Sequence, residues 1–196
     1  MMQDVVAVFL GIGLSAACGF RIFVPLLAAS VLALTGQVRL AENLAWMGTY
    51  PALVAFATAT ALEIGAYYIA WLDHALDAIA TPAAVIAGTL ITGALIPDLA
   101  PWLRWTLAVI AGGLPASVVQ GATVLLRGKS TLLSGGMGNF LVATGELLGA
   151  VLTSALAVLL PVVTGVLVVA AVLVLLLLFR RKVFSRSRPD PAGRVS

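Results

Sequence analysis

Long apolar segments with few charges constrain this chain more than any other feature of its sequence. Residues 161–179 read PVVTGVLVVAAVLVLLLLF, and residues 5–20 contain no charged side chain. A helix that spans a bilayer needs about 20 predominantly apolar residues. These segments lack the alternation of polar and apolar residues that is typical of membrane β-barrels. The pattern therefore predicts an all-α integral membrane protein.

Composition supports this fold class and indicates the number of helices. The chain is 62% hydrophobic and 10% charged, whereas a soluble domain is about half apolar and about a quarter charged. Its 196 residues leave room for about six transmembrane helices and their loops. The predicted helices are residues 5–34, 51–71, 82–96, 106–126, 140–160 and 161–179. We interpret residues 1–179 as one helical transmembrane domain and residues 180–196 as a basic, disordered cytoplasmic tail.

Besides a loop predicted at residues 35–50, three polar segments separate the predicted helices. The segment DHALDAIATP (73–82) is predicted as a polar connector, with a short interfacial helix as the alternative. PDLAPWLRW (97–105) is predicted as a turn with interfacial tryptophans, and RGKSTLLSGGMGN (127–139) as a glycine-rich loop.

Basic residues predict the orientation of the chain. With six spans both termini lie on one side, and that side would carry eight basic residues, which are Arg127, Lys129, Arg180, Arg181, Lys182, Arg186, Arg188 and Arg194. The other side would carry only Arg39 and Arg104. Because cytoplasmic loops are enriched in Lys and Arg, we predict a multi-pass protein of the bacterial inner membrane with cytoplasmic N- and C-termini. The opening MMQD lacks the positive charge of a cleaved signal peptide.

Weak internal symmetry indicates two halves, residues 1–100 and 101–179. Each half has a long first span, a second span with one glutamate (Glu63 or Glu146), and a third span that begins at a proline. Three spans per half would insert the halves with opposite topology, which is a pattern found in transporters. Because the two halves share little sequence, a bundle without repeats remains the alternative interpretation.

Arg21 is the one charge between Asp4 and Arg39. A charge within a membrane span costs a few kcal/mol even on lenient insertion scales. Gly19 and Pro25 flank it, and a proline inside a membrane helix kinks or interrupts the helix. The first predicted helix is therefore expected to break there and turn Arg21 toward the bundle interior. Arg21 would bind an anionic group, or it would be a structural arginine that fixes helix packing.

Four further polar residues are candidates for the same site. Glu63 is predicted near the middle of its span and Glu146 nearer one end. Either could titrate, hold a cation or pair with Arg21, and the alternative is a structural ion pair. Asn139 follows the glycine-rich segment and Arg127 precedes it. Backbone amides of such a segment can bind an anion, and a plain turn is the alternative.

Metal, cofactor and enzyme chemistry find little support in the sequence. Asp73, His74 and Asp77 form a polar cluster that could hold a cation but is more typical of a solvated connector. One histidine and one cysteine, Cys18, cannot form a zinc site. No nucleophile–base pair is recognisable, and the phosphate-loop and dinucleotide look-alikes have the wrong spacing or context. We therefore expect no metal, no cofactor, no enzymatic activity and no nucleic-acid partner.

Several segments together resemble a known family. They are GFRIFVP (19–25), EIGAYYIAWLDHALDAIATPAAVIAG (63–88), WTLAVIAGG (105–113) and LLRGKSTLLSGGMGN (125–139), followed by Glu146. The chain resembles the uncharacterised bacterial membrane protein family called domain of unknown function 4126. It departs from the family pattern at Ala70, where a proline is usual, and at His74, where an asparagine is common. The resemblance implies a helical inner-membrane protein but no activity, substrate or catalytic residue.

These observations favour a small inner-membrane transporter, channel or lipid flippase. Its cargo would be an anionic solute or a lipid headgroup, bound by Arg21 and Arg127 with Glu63, Glu146 and Asn139. The alternative is a non-transporting assembly or interaction protein whose buried polar residues are structural. The expected partners are the lipid bilayer and a second copy of the chain.

Overall fold

The chain forms an all-helical bundle in the computed structural model. The structure describes residues 2–66, 70–135 and 137–186, and the side chains of 5–66, 79–135, 137–178 and 180; no strand occurs within these ranges. In chain order the α-helices are α1 (Met2–Cys18), α2 (Phe23–Leu34), α3 (Tyr50–Ala66), α4 (Ala70–Leu95), α5 (Pro101–Leu107), α6 (Leu114–Ser134), α7 (Asn139–Leu159) and α8 (Pro161–Arg186). A 3₁₀ helix (Glu42–Gly48) precedes α3, and a π-helical turn (Ala108–Gly113) joins α5 to α6.

Helix α1 is the central element of the bundle. Every residue from Leu10 to Gly19 is buried. Glycines on α1 allow its neighbours to approach closely: a Cβ at Gly13 would lie 2.7 Å from the Cβ of Ala157 on α7. Small residues at helix contacts are the usual means of close packing between apolar helices. The uncharged residues 10–19 therefore form part of the core.

Close contacts show that α1 runs antiparallel to both α4 and α7. As residue numbers rise along α1, the residues it contacts on these two helices fall. The pairs are Gly11 with Thr92, Ser15 with Gly88 and Gly13 with Ala157, followed just after the end of α1 by Phe20 with Gly149.

Helices α1 and α2 form a helical hairpin rather than one long bent helix. After α2, the amide of Ala41 donates to the carbonyl of Ala94 at 2.8 Å. Ala94 follows Thr92, which lies against Gly11 in the first half of α1. The chain therefore returns along α1, with its corner between Cys18 and Phe23. The predicted break at Arg21 is confirmed, but the predicted single span of residues 5–34 is wrong.

Local sequence explains this reversal. A Cβ at Gly19 would lie 2.6 Å from the carbonyl oxygen of Ala116 on α6, so only glycine fits at the corner. Pro25 lies in the first turn of α2, where a proline removes no intrahelical hydrogen bond. Pro25 thus belongs to the start of a new helix and does not kink an existing one.

Helices α4, α6 and α8 extend into segments predicted as a polar connector, a loop and a tail. Helix α4 begins at Ala70 and contains Pro82, so it includes the predicted polar connector. Helix α6 continues to Ser134 through most of the predicted glycine-rich loop. Helix α8 continues to Arg186, into the predicted tail. Arg and Lys are good helix formers, so a basic segment does not by itself end a helix.

Helix length and composition are compatible with a membrane protein. Among the described residues, Pro101–Ser134, Asn139–Leu159 and Pro161–Leu178 are long and apolar enough to cross a membrane. Four shorter apolar helices accompany them, including both arms of the α1–α2 hairpin. The number of six spans, the inverted repeats and the placement of the termini stay predictions.

Candidate functional site

Four buried charged side chains lie around the corner of the α1–α2 hairpin. Arg21 is 2% exposed, Glu63 9%, Arg127 5% and Glu146 4%, and these are the buried charged residues of the described chain. They come from the corner, α3, α6 and α7. Burying a charge is costly unless it is paired and hydrogen-bonded, so each needs partners within the protein.

Arg127 and Glu146 form a two-point ion pair between α6 and α7. Arg127 Nε donates to Glu146 Oε1 at 2.8 Å, and Arg127 Nη2 donates to Glu146 Oε2. The planar guanidinium matches both carboxylate oxygens, which makes such pairs strong and directional. Arg127 is therefore a buried interhelical residue, and it does not act as the loop charge that the orientation prediction counted.

Arg21 joins this pair from the hairpin corner. Its Nη2 donates to the carbonyl oxygen of Ala143 at 2.8 Å and lies 3.9 Å from Oε2 of Glu146. A helical carbonyl can accept this second bond because it has two lone pairs. Glu146 thus lies between two guanidinium groups, and the predicted partnership of Arg21 with Glu146 is present.

Glu63 occupies the N-terminus of α2. Its Oε1 accepts from the amide of Ile22 at 2.8 Å, and its Oε2 accepts from the amide of Phe23 at 3.1 Å. The first amides of a helix have no intrahelical partner, and the helix dipole favours a negative charge there. Glu63 lies on α3, within the predicted span of residues 51–71, part of which falls outside the described residues.

Asn139 and the glycine-rich turn bond within the protein. Asn139 Nδ2 donates to Thr131 Oγ1 at 3.1 Å, which ties the start of α7 to α6. The amide of Gly138 donates to Ser134 Oγ at 2.8 Å, so this amide is engaged by the turn itself. These contacts hold the turn between α6 and α7, and anion binding at this turn stays a prediction.

The predicted acidic cluster falls in a part of α4 whose side chains the structure does not describe. The side chains of Asp73, His74 and Asp77 lie outside the described residues. Within the residues that are described, no group of three or more histidine, cysteine, aspartate or glutamate side chains is placed to hold a metal ion.

A cavity of about 430 Å³ opens beside the ion pair. It lies between α6 and α7, with Glu146 in its wall and Phe20 of the corner beside it. Leu141 also lines it and is 72% exposed on the bundle surface. The charged cluster is therefore next to a mostly apolar groove that opens toward the outside of the bundle.

Some features of this site have a signal in the sequence and others have none. Arg127 and Glu146 carry opposite charges on consecutive helices, so their pairing could have been inferred. The acceptor role of Ala143 depends on a backbone carbonyl and leaves no mark on residue type. The contribution of Phe20 and Thr123 to the cavity wall follows only from the hairpin and the packing of α6.

Comparisons with known proteins support the membership that the sequence motifs suggested. No curated protein and no solved structure matches the chain. One family model does match, over residues 8–181, which covers most of the chain and all four charged residues of the cluster. The chain therefore belongs to the family described as "Domain of unknown function (DUF4126)".

Proposed function

We propose that this protein is a small membrane transporter, channel or flippase that moves an anionic solute or a lipid headgroup past Arg21 and Arg127. The observation that supports the proposal most directly is the convergence of these two buried arginines on Glu146. Charged residues within apolar helices usually mark a ligand or ion pathway.

The chain's own carboxylates already occupy two positions that would suit an external anion. Glu146 accepts hydrogen bonds from the guanidinium of Arg127, and Glu63 accepts them from the amides at the start of α2. Two arginines and two glutamates make the cluster electrically neutral when all four are ionised. An arriving anion would compete with one of these carboxylates, which is how a closed state would give way to a loaded one.

The α1–α2 hairpin supports a transport role by its shape. Seventeen residues of α1 and twelve of α2 extend about 25 Å and 18 Å, less than the roughly 30 Å of a hydrocarbon core. We infer that the hairpin is re-entrant, with its corner inside the membrane region. Transporters place discontinuous helices at their binding sites, with helix N-termini facing anionic groups.

Purified protein in proteoliposomes tests the proposal in two arms. One arm measures entry of radiolabelled inorganic phosphate and lactate, and the other measures exposure of a fluorescent phosphatidylglycerol to an external quencher. We expect activity in one arm, and we expect Arg127→Gln to abolish it. Thr131→Val, which alters the neighbouring pair with Asn139, is the matched control and should retain activity. The absence of both solute entry and lipid exposure would contradict the proposal.

The second candidate is a non-transporting assembly protein. Glu63 and Glu146 are both bonded to protein groups in the closed bundle, as expected of structural residues that hold helices together. This candidate predicts that replacing Arg127 and Glu146 together by apolar residues preserves both the fold and the cellular role. The transport proposal predicts that the same double variant folds and is inactive.

A further inference from the structure

We infer that the α1–α2 hairpin enters the membrane from the non-cytoplasmic side. This places the start of α1 outside the cytoplasm, and it places the charged cluster of Arg21, Glu63, Arg127 and Glu146 in the cytoplasmic half of the membrane. The placement holds equally for a protein that transports nothing, so it goes beyond the proposed function.

The open end of the hairpin, away from its corner, has the composition of a membrane interface. There the 3₁₀ helix and α5 lie side by side, because Arg104 Nη2 donates to Asn43 Oδ1 at 3.1 Å. Large aromatic side chains of these two helices and of the start of α3 are exposed: Trp46 by 55%, Tyr50 by 75% and Trp102 by 72%. Tryptophan and tyrosine are enriched where membrane helices meet the lipid headgroups. The open end therefore lies at one surface of the membrane.

Helices α6 and α7 continue past the corner of the hairpin to the second surface. The corner contacts α6 near Gln120 and α7 near Gly149. From there α6 continues to Ser134, about 21 Å further, and α7 starts at Asn139, about 15 Å away in the same direction. Helix α1 extends about 25 Å in the opposite direction. Together these lengths match a bilayer with its headgroups, which is about 40–45 Å thick, so the corner lies inside the membrane.

Basic residues identify this second surface as the cytoplasmic one. Lys129, near the end of α6, is exposed. Helix α8 begins beside Gly13 of α1 and contacts α6, so it runs past the corner in the direction of α6 and carries its basic end (180–186) to the same surface. The open end of the hairpin carries two basic residues, Arg39 and Arg104. Because cytoplasmic segments are enriched in Lys and Arg, the open end lies on the non-cytoplasmic side.

The hairpin changes the side on which the chain begins and leaves the sides of the later segments unchanged. The predicted cytoplasmic N-terminus depends on a single span over residues 5–34. A hairpin over the same residues enters and leaves on one side, so the start of α1 lies on the same side as residues 35–41. The burial of Arg127 removes one residue from the cytoplasmic count of basic residues, and the excess on that side remains.

The charged cluster lies closer to the cytoplasmic surface than to the other surface. Arg127 is about 10 Å along α6 from Ser134, and Glu146 is about 10 Å along α7 from Asn139. On the other side of the cluster, residues 10–19 are buried and fill the centre of the bundle. A charged group that approaches from the cytoplasm therefore passes less packed apolar protein than one that approaches from outside.

Cysteine labelling in intact cells tests this placement on the full chain. Gln3→Cys, Gln37→Cys and Ser134→Cys are made one at a time in a Cys18→Ala background and treated with a sulfonated maleimide that does not cross the inner membrane. Gln3 lies in the first turn of α1, Gln37 is exposed just after α2, and Ser134 is exposed at the end of α6. We expect the first two variants to label severalfold more than Ser134→Cys in intact cells. Ser134→Cys should reach the same level once the membrane is permeabilised.

Labelling of Gln3→Cys decides between a hairpin and a single span, with Gln37→Cys as its matched control. If Gln37→Cys labels in intact cells and Gln3→Cys labels only after permeabilisation, the inference is overturned. Labelling of Ser134→Cys in intact cells would reverse the orientation and overturn it as well. Asp4→Cys and Thr35→Cys repeat the first two measurements at neighbouring positions, in case a variant does not fold. None of these results depends on transport, so the proteoliposome measurements test the proposed function separately.

Discussion

Glu63 and Glu146 are both buried at the hairpin corner, yet the protein holds them in different ways. Glu146 lies between the guanidinium groups of Arg127 and Arg21. Glu63 accepts two backbone amides at the start of α2. The first carboxylate is balanced by whole charges from other helices, and the second by partial charges of one helix end. Equivalent-looking residues in the two halves of a sequence can therefore have unlike roles.

Glu146→Leu should have the largest effect on stability. It leaves Arg127 buried without its carboxylate, and breaking such a buried pair costs about 3–5 kcal/mol. The free energy of unfolding can be measured by denaturant titration in mixed micelles. The double variant Glu146→Leu with Arg127→Met should recover most of the loss, because apolar replacement of a whole buried pair is often neutral. Equal losses in the single and double variants would contradict this assignment.

Glu63→Ala should cost less, about 1–3 kcal/mol, because it removes no full ionic partner. The loss arises from two part-buried amides that are left without an acceptor. The same titration measures it. Glu42→Ala, an exposed carboxylate in the 3₁₀ helix, is the matched control and should resemble wild type. If Glu63→Ala destabilised the protein more than Glu146→Leu, the proposed ranking of the two carboxylates would be wrong.

Gly19→Ala should disturb both carboxylates at once, because both bind groups that the corner positions. Its Cβ would lie 2.6 Å from the carbonyl oxygen of Ala116 and 2.9 Å from the amide nitrogen of Gln120. Overpacking of this kind costs about 1–3 kcal/mol. Gly121→Ala on α6 meets nothing within 4 Å and should stabilise by up to about 1 kcal/mol. The melting temperatures of the two variants in detergent measure this difference. Equal melting temperatures would contradict the close contact at Gly19.

Labelling of Cys18 compares how strongly each carboxylate holds the corner, and it should show the smallest effects. Cys18 is fully buried and directly precedes the corner. A small membrane-impermeant maleimide should not label it in proteoliposomes, while protein unfolded in detergent should label fully. Glu63→Gln should raise the labelling slightly, since it weakens the attachment of α2 at the corner. Glu146→Gln should raise the labelling less, because the main ion pair of Glu146 is with Arg127 on α6 and Arg21 at the corner keeps its hydrogen bond to Ala143. Labelling of the wild type would mean that water reaches the corner in the states sampled.

The sequence alone allowed much of the fold class and of the charged cluster to be predicted. The apolar segments predicted a helical membrane protein, and Arg21, Glu63, Arg127 and Glu146 stood out because charges are rare within such segments. The break at Arg21 followed from Gly19 and Pro25. These features depend on residue type and local spacing, which a sequence displays directly.

The pairing of the charged side chains and the direction of the chain after Arg21 could not be predicted from residue type and local spacing. A break between two helices is compatible with a kink or a reversal, and only the bond from Ala41 to Ala94 shows that the chain returns. Basic residue counting treated Arg127 as a loop anchor, since positive charge near a span end usually has that role. Its burial against Glu146 depends on how α6 and α7 pack.

Residue types and their spacing are enough to establish an apolar helical bundle with a few charges that must be neutralised inside it. Which partner neutralises each charge depends on tertiary packing, which gives Glu146 the arginines and Glu63 a helix N-terminus. The physical reason is that burial cost belongs to each charge individually, and any opposite partner can offset it. Which partner does so depends on the distance between helices, and that distance is set by contacts such as Gly19 with Ala116, far apart in the chain.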